Sequence, residues 1–466
     1  MKTLKVLTVV GTRPEIIRLS RTIALLDQHV HHILVHTGQN YDYELNEIFF
    51  QELEIRKPDY FLNVDTSSLG AAVGDIIRKS EEVLKKEMPD AMLVLGDTNS
   101  SLAAYMAKRM HIPIFHMEAG NRSFDFNVPE EINRRIIDHI ADFNLVYTEH
   151  ARRHLISEGL PHRRIYLTGS PMREVLEYYK SKIDSLTPLT PRPPVPPLQL
   201  ERGPGGEAND FFLVSFHREE NVDNPENLKK ILDNLHRLAE KYQLPVIVST
   251  HPRTRKRLEA VGQLDSWTVG QLDKDSVGQL DGWTVGQNPS NIEHRQSNRP
   301  IAQSPNRPIV QFLPPFGFLD YINLQMHAKC VISDSGTISE ESAILGFPAI
   351  SLRQSMERPE AQDAGTIILT GLDPDVVLDS VELVISEFSK RPAVSGQPWN
   401  GGTVERWNGG TVEQLNSGTV ERWNSGTVEP GTRNIPFEYQ ISDTSWRVLK
   451  LIMGNAKLSN KWWGIK

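Results

Sequence analysis

The sequence predicts an α/β protein of two doubly wound domains, each a parallel sheet covered by helices on both faces, set across a cleft. Three observations carry this. Short, wholly apolar runs recur along the chain and alternate with stretches of helical spacing, the pattern of strands buried on both faces. The series runs once from Leu4 to about Gly169 and restarts at Phe211. At 466 residues the chain is long enough for two cores of ordinary size.

The elements follow in order. LKVLTVV, HHILVHTG, AMLVLGD, IPIFHM, FNLVYT and RIYLTG read as the strands of the first sheet. PEIIRLSRTIALLDQ and SSLAAYMAKRM have the spacing of the helices between them. FFLVSF, LPVIVST, IVQFL, KCVISD and PAISLR read as the strands of the second. The opening run meets Gly11-Thr12-Arg13-Pro14-Glu15 after about seven residues, so it reads as a first strand rather than a leader.

The expected organisation is a first domain over 1–186, a Pro/Gly-rich connection over 187–210, and a second domain over 211–392. The second domain is interrupted at 261–308 by an eight-residue repeat (VGQLDSWT, VGQLDKDS, VGQLDGWT). A second repeat-rich tract fills 393–436 (WNGGTVER, WNGGTVEQ, LNSGTVER, WNSGTVEP), and 437–466 forms a C-terminal helix and tail. Both tracts are rich in Gly, Asn and Gln and shorter in period than solenoid units, so they read as disordered insertions.

Composition limits the partners. With 51 Lys and Arg against 59 Asp and Glu, the net charge of −8 gives no reason to expect nucleic acid or an anionic membrane. No apolar run approaches the roughly 18 residues of a span. The single cysteine, Cys330, excludes an internal disulfide and fits the cytoplasm.

Charged and hydroxyl residues cluster just past the strands, where ligands bind in such folds. Arg13 follows the first strand, and Pro14 suits the first turn of the next helix. A helix start there favours an anion, although a plain strand-to-helix turn would look the same. Ser335, Gly336 and Thr337 repeat that layout in the second half, followed by Glu341. They suit phosphate and ribose, or a helix cap, or both at once, since a cap and a phosphate use the same donors. His217 follows the first strand of the second half, flanked by Arg218, and His251 is placed similarly. Tyr321 fits either a base stack or a core. Asp97 and Glu118 end neighbouring strands, and Arg134 and Glu130 open the helix that follows Glu118. Such carboxylates beside arginines form either ion pairs or an acid/base cluster.

Taken together, GTRPE, GDT, H-x-EAG-x-R with PEE-x-NR, HRE, DSG with EE, and ERPEA resemble the non-hydrolysing UDP-N-acetylglucosamine 2-epimerase family. The likeness runs from about Leu4 to Ala260 and from about Ile309 to Thr370, without the Pro-rich segment or either repeat tract. It implies the two-Rossmann-domain GT-B fold, a UDP-sugar substrate, no cofactor, no metal and a homodimer. It also implies that Arg13, His217, Ser335, Gly336, Thr337 and Glu341 hold diphosphate and ribose, with Tyr321 on uracil. Asp97, Glu118, Glu130 and His217 would carry the chemistry, Arg134 would support it, and Arg18 and Arg358 would line the substrate cleft.

The wording inside the motifs is most similar to the subgroup that converts UDP-2-acetamido-2,6-dideoxy-β-L-talose to UDP-N-acetyl-L-fucosamine for surface polysaccharides. Arg18 stands where the glucosamine type has Lys, and Thr337 where it has Gly. Tyr41-Asp42 replaces a segment of that type's effector site. The glucosamine-type epimerase is the alternative, and a GT-B glycosyltransferase the rival of another class.

Overall fold

In a computed structural model, residues 4–38, 49–186, 211–260, 310–355, 357–389 and 435–465 are described. The connection at 187–210, both repeat tracts up to residue 434, and Tyr41-Asp42 lie outside the described residues.

Seven strands make the first sheet: β1 (Lys5–Val10), β2 (His31–His36), β3 (Tyr60–Phe61), β4 (Ala91–Leu95), β5 (Ile114–Met117), β6 (Phe143–Val146) and β7 (Ile165–Leu167). Their order is β3-β2-β1-β4-β5-β6-β7, with every neighbour parallel. Six make the second: β8 (Phe212–Ser215), β9 (Val246–Ser249), β10 (Val310–Leu313), β11 (Cys330–Ser333), β12 (Ala349–Ser351) and β13 (Ile368–Leu369). They run β10-β9-β8-β11-β12-β13, again all parallel. The apolar runs of the sequence become these strands because helices cover both faces and leave no polar side to alternate. Strands β3 and β13 have two residues each and leave no such run.

Both sheets reverse their strand order between the first and fourth strands, beside β1 in one and β8 in the other. A crevice opens beyond the carboxyl ends of the strands at such a point, and ligands bind there. The loops after β1, β4, β5, β8 and β11 therefore carry the charged motifs into one region.

The last helix, Thr444–Trp462, does not belong to the second sheet. It packs on the helix Arg13–His29, burying Val448, Leu449, Ile452 and Ala456 in the same core as Leu19, Ile23 and Leu26. Thr444 Oγ1 donates to the carbonyl of Thr168 at 3.1 Å, and Ser445 N–H donates to Glu174 at 2.8 Å. Gly169, at φ +81°, leaves room for Ile441, whose side chain a β-carbon would overlap. No helix among the described residues is long and apolar enough to cross a membrane.

Candidate active site

The turn after β1 is built around a buried carboxylate. Glu15 accepts from Gly11 N–H at 2.9 Å, Thr12 N–H at 2.8 Å and Thr98 Oγ1 at 3.0 Å. With Thr12 this is a capping box, and it staples the β1 turn to the β4 turn. Arg13 is thereby held at a helix start, with its guanidinium 5.2 Å from the ring centre of Phe49.

A cavity of about 520 Å³ lies between the sheets, with Arg13 and Arg18 on one wall and His217, Tyr321, Ser335 and Glu341 on the other. Thr337 also lines it. Its side chain makes no cap bond to the helix Ile338–Leu345. Instead Ser335 Oγ and Thr337 Oγ1 meet at 3.0 Å beside Gly336. Ser335 Oγ also accepts from Thr337 N–H at 3.3 Å, so the loop keeps a cap-like bond while forming a hydroxyl-lined turn at a helix start, a place that suits an anion. Glu341 accepts from Gln325 Nε2 at 2.7 Å, and burial pushes its carboxyl up. Tyr321 joins its hydroxyl to Ser215 Oγ at 2.7 Å, which fixes the ring against the cavity.

His217 is positioned by Asp334, to which the DSG motif by itself assigns no role. The backbone N–H groups of His217 and Arg218 donate to the Asp334 carboxylate, as does Asn221 Nδ2 at 2.9 Å. His217 Nδ1 lies 3.2 Å from Asp334 Oδ1. Against its burial, the neighbouring His217 imidazole and these donors hold the Asp334 carboxyl down at about 2. Its acceptor role orients the imidazole.

Asp97 and Glu118 sit beyond the cavity wall, next to its lining residues Thr98 and Arg18. Glu118 has φ +62°, a left-handed backbone that a non-glycine residue adopts at a cost of order 1 kcal/mol or more. Gly120, two residues on at φ +78°, approaches the carbonyl of Ala151 so closely that a β-carbon would collide with it. That accounts for Gly in the EAG motif.

Glu118 is closed in a ring. Arg18 donates to one of its oxygens, and Arg358 Nη2 donates to the other at 2.8 Å. Arg358 also pairs with Glu340, and Glu340 returns to Arg18 at 3.3 Å. Two guanidinium groups and two carboxylates thus alternate, all buried, with Arg18 and Glu118 from the half of the chain that holds the first sheet and Glu340 and Arg358 from the half that holds the second. Burial alone would raise Glu118, but Arg18, Arg358 and Arg134 outweigh it and hold the carboxyl at about 2.

Asp97 is driven the other way. It pairs with Arg134, yet burial together with the charges of Glu357, Glu118 and Glu130 raises it to about 7. Two acids on adjacent strands with opposed proton affinities are the arrangement that separates acid from base roles. Glu130 is not tied into this cluster. It is exposed at the start of the helix Pro129–Ile140, near enough to Asp97 and Arg218 to bear on their charge. Glu340 and Glu357, which stand inside the quoted EE and ERPEA without a role of their own, and Arg353, which lies in no quoted motif, also join the site.

The sequence profile described as UDP-N-acetylglucosamine 2-epimerase matches residues 24–406. A UDP-N-acetylglucosamine 2-epimerase structure from Rickettsia bellii is 38% identical, covers 99% of each chain and superposes with a TM-score of 0.70. The Methanocaldococcus jannaschii UDP-GlcNAc 2-epimerase, solved with UDP-GlcNAc and UDP, is 31% identical over 82% of this chain and 93% of its own, at a TM-score of 0.65. A Pseudomonas aeruginosa UDP-2,3-diacetamido-2,3-dideoxy-D-glucuronate 2-epimerase is 31% identical over 86% of this chain and 96% of its own. On this match and these identities, the GT-B-like chain belongs to the UDP-N-acetylglucosamine 2-epimerase family, a family of isomerases.

Proposed function

We propose that the chain is a UDP-sugar 2-epimerase that inverts C2 of UDP-2-acetamido-2,6-dideoxy-β-L-talose to give UDP-N-acetyl-L-fucosamine. The observation that carries the epimerase reading is the pair Asp97 and Glu118, on adjacent strand ends and pushed to opposite proton affinities beside an anion-suited cavity.

The C2 proton of such a sugar is not next to a carbonyl, so it is not acidic by itself. In the proposed route the anomeric C1–O bond breaks and UDP leaves with the bonding electrons, held by Arg13, His217 and the Ser335–Thr337 turn. A carboxylate takes the C2 proton and a 2-acetamidoglycal remains. Protonation of C2 from the opposite face and return of the UDP oxygen to C1 complete the inversion. Asp97, titrating near neutrality, suits proton transfer on one face. Glu118, kept ionised by arginines, suits stabilisation of positive charge developing at C1. Exposed Glu130, on a helix start that can approach bound sugar, is the partner for the other face.

The substrate assignment rests on Arg18 and Thr337 and on the wording of the motifs. The second reading, a UDP-GlcNAc 2-epimerase, is favoured by the names of the Rickettsia and Methanocaldococcus relatives. We also propose a homodimer, supported by the exposed apolar residues Tyr105, Ile132 and Ile136 on two neighbouring helices.

NMR of the purified chain with each UDP-sugar in D2O, and with no acceptor, tests the activity. Inverted product carrying deuterium at C2 supports it. Inverted product without deuterium overturns the exchange route, and binding of UDP with no turnover overturns the enzyme reading.

A further inference from the structure

Two consecutive residues of the second domain reach across to the two acids of the first. Arg358 bonds Glu118, while Glu357 approaches the guanidinium that holds Asp97. Glu357 is 8% exposed and sits among three cations. Its Oε2 is 3.4 Å from Arg134 Nη2, and its Oε1 is 2.6 Å from Arg353 Nη2 and 3.4 Å from Arg218 Nη2. Arg134 comes from the helix Pro129–Ile140 of the first domain, Arg218 from the loop after β8, and Arg353 from the loop after β12.

We propose that Glu357 is a positioning residue that sets the proton affinity of Asp97 from the opposite domain by sharing Arg134 with it. This rests on the proposed epimerase reading. The geometry gives the reason. Arg134 directs the same nitrogen, Nη2, toward Asp97, Glu118 and Glu357, so one positive charge is divided among three carboxylates. Each anion added to that group raises the cost of ionising Asp97. The groups facing Asp97 are Arg134, Glu357, Glu118 and Glu130, and of these only Glu357 belongs to the second domain. Separation of the domains would withdraw it, leave Arg134 more fully to Asp97, and lower the proton affinity of Asp97. The acid is thus poised for proton transfer while the cleft is closed. Arg353 works against this by partly neutralising Glu357.

The test is the pH profile of kcat/KM in the full-length chain, from about pH 5 to about pH 9, for the wild type, Glu357→Gln and Arg353→Gln. UDP binding serves as the check on folding. In Glu357→Gln the near-neutral limb should move down by about half a pH unit or more. In Arg353→Gln, which exposes the Glu357 charge, the same limb should move up. A purely structural role would lower the rate at every pH and leave the limb in place, and that result overturns the inference. Should Glu357→Gln fail to bind UDP, Arg353→Gln decides alone, since an unmoved or downward limb there is equally contrary. C2 exchange by the wild type separates the two readings. Its absence sinks the epimerase proposal, whereas its presence with unmoved limbs sinks only this one.

Discussion

Arg358 Nη2 donates to Glu118 Oε1 at 2.8 Å, joining a residue on the second sheet's side of the cleft to a strand end of the first. Both groups are buried, so the contact is shielded from water and fixes Glu118 as an anion. Asp97, on the adjacent strand end, lacks such a ring. The two carboxylates should therefore respond differently to the same substitution.

Asp97→Asn and Glu118→Gln each remove one ionisable oxygen with little change in size. Both should lower kcat by about 10²- to 10⁴-fold. Glu118→Gln should also destabilise the fold by roughly 3 kcal/mol or more, because Arg18 and Arg358 would be left buried and under-compensated. Asp97→Asn should cost little stability, since Arg134 keeps Glu357. Thermal melts alongside steady-state rates check the contrast. Equal losses of stability would contradict the ring as described.

The stability difference between Asp97→Asn and the wild type should depend on pH, with a definite sign. Asp97 titrates higher in the folded chain, about 7, than its ordinary 3.8, so the folded state binds this proton more tightly. The stability linked to that proton is complete below about 4 and is lost as pH rises through about 7. Asn cannot ionise and loses nothing. The variant's relative stability should climb from pH 4 to pH 7 and level off above, in denaturant midpoints taken across that range. A flat difference would show that Asp97 titrates normally.

Arg13→Ala should show the opposite balance, with UDP binding leading. One charge-assisted contact to diphosphate is worth roughly 1.5–3 kcal/mol, so the Kd for UDP should rise about ten- to hundred-fold in calorimetry. Asp97→Asn should bind UDP within a few-fold of wild type. An Arg13→Ala chain with unchanged Kd would move the diphosphate elsewhere in the cavity.

Turnover on the 6-deoxy-L-talose derivative should exceed turnover on UDP-GlcNAc by at least roughly tenfold, about 1.4 kcal/mol in transition-state binding. Comparable kcat/KM on the two would return the assignment to the glucosamine type.

The sequence made the two sheets legible because parallel strands buried on both faces leave unbroken apolar runs such as AMLVL and CVIS. It made Asp97, Glu118 and His217 legible as candidates because each stands within two residues of the end of such a run. The ion ring was not legible. Glu118 and Arg358 lie 240 residues apart, and only the docking of the two sheets makes them partners. Glu130 reads as equivalent to Glu118 by charge and proximity, yet it is exposed at a helix start and acts on Asp97 only through its charge, whereas Glu118 is buried and ion-paired. The role of Asp334 was hidden for a related reason, since a DSG loop reads as an anion cradle whichever way its Asp points. The last helix carried core-like spacing at Val448, Leu449 and Ile452, but spacing alone does not name the surface that receives it.

The return of that helix to the first sheet has a consequence for the order of synthesis. A ribosome makes the first sheet's strands early, but the helix that covers Leu19, Ile23 and Leu26 emerges only after the whole second sheet. Until then the helix Arg13–His29 has an apolar flank open to water. The N-terminal half is therefore complete only after the second sheet and the helix Thr444–Trp462 have both been made, and a chain cut short after the second sheet would lose support in the first.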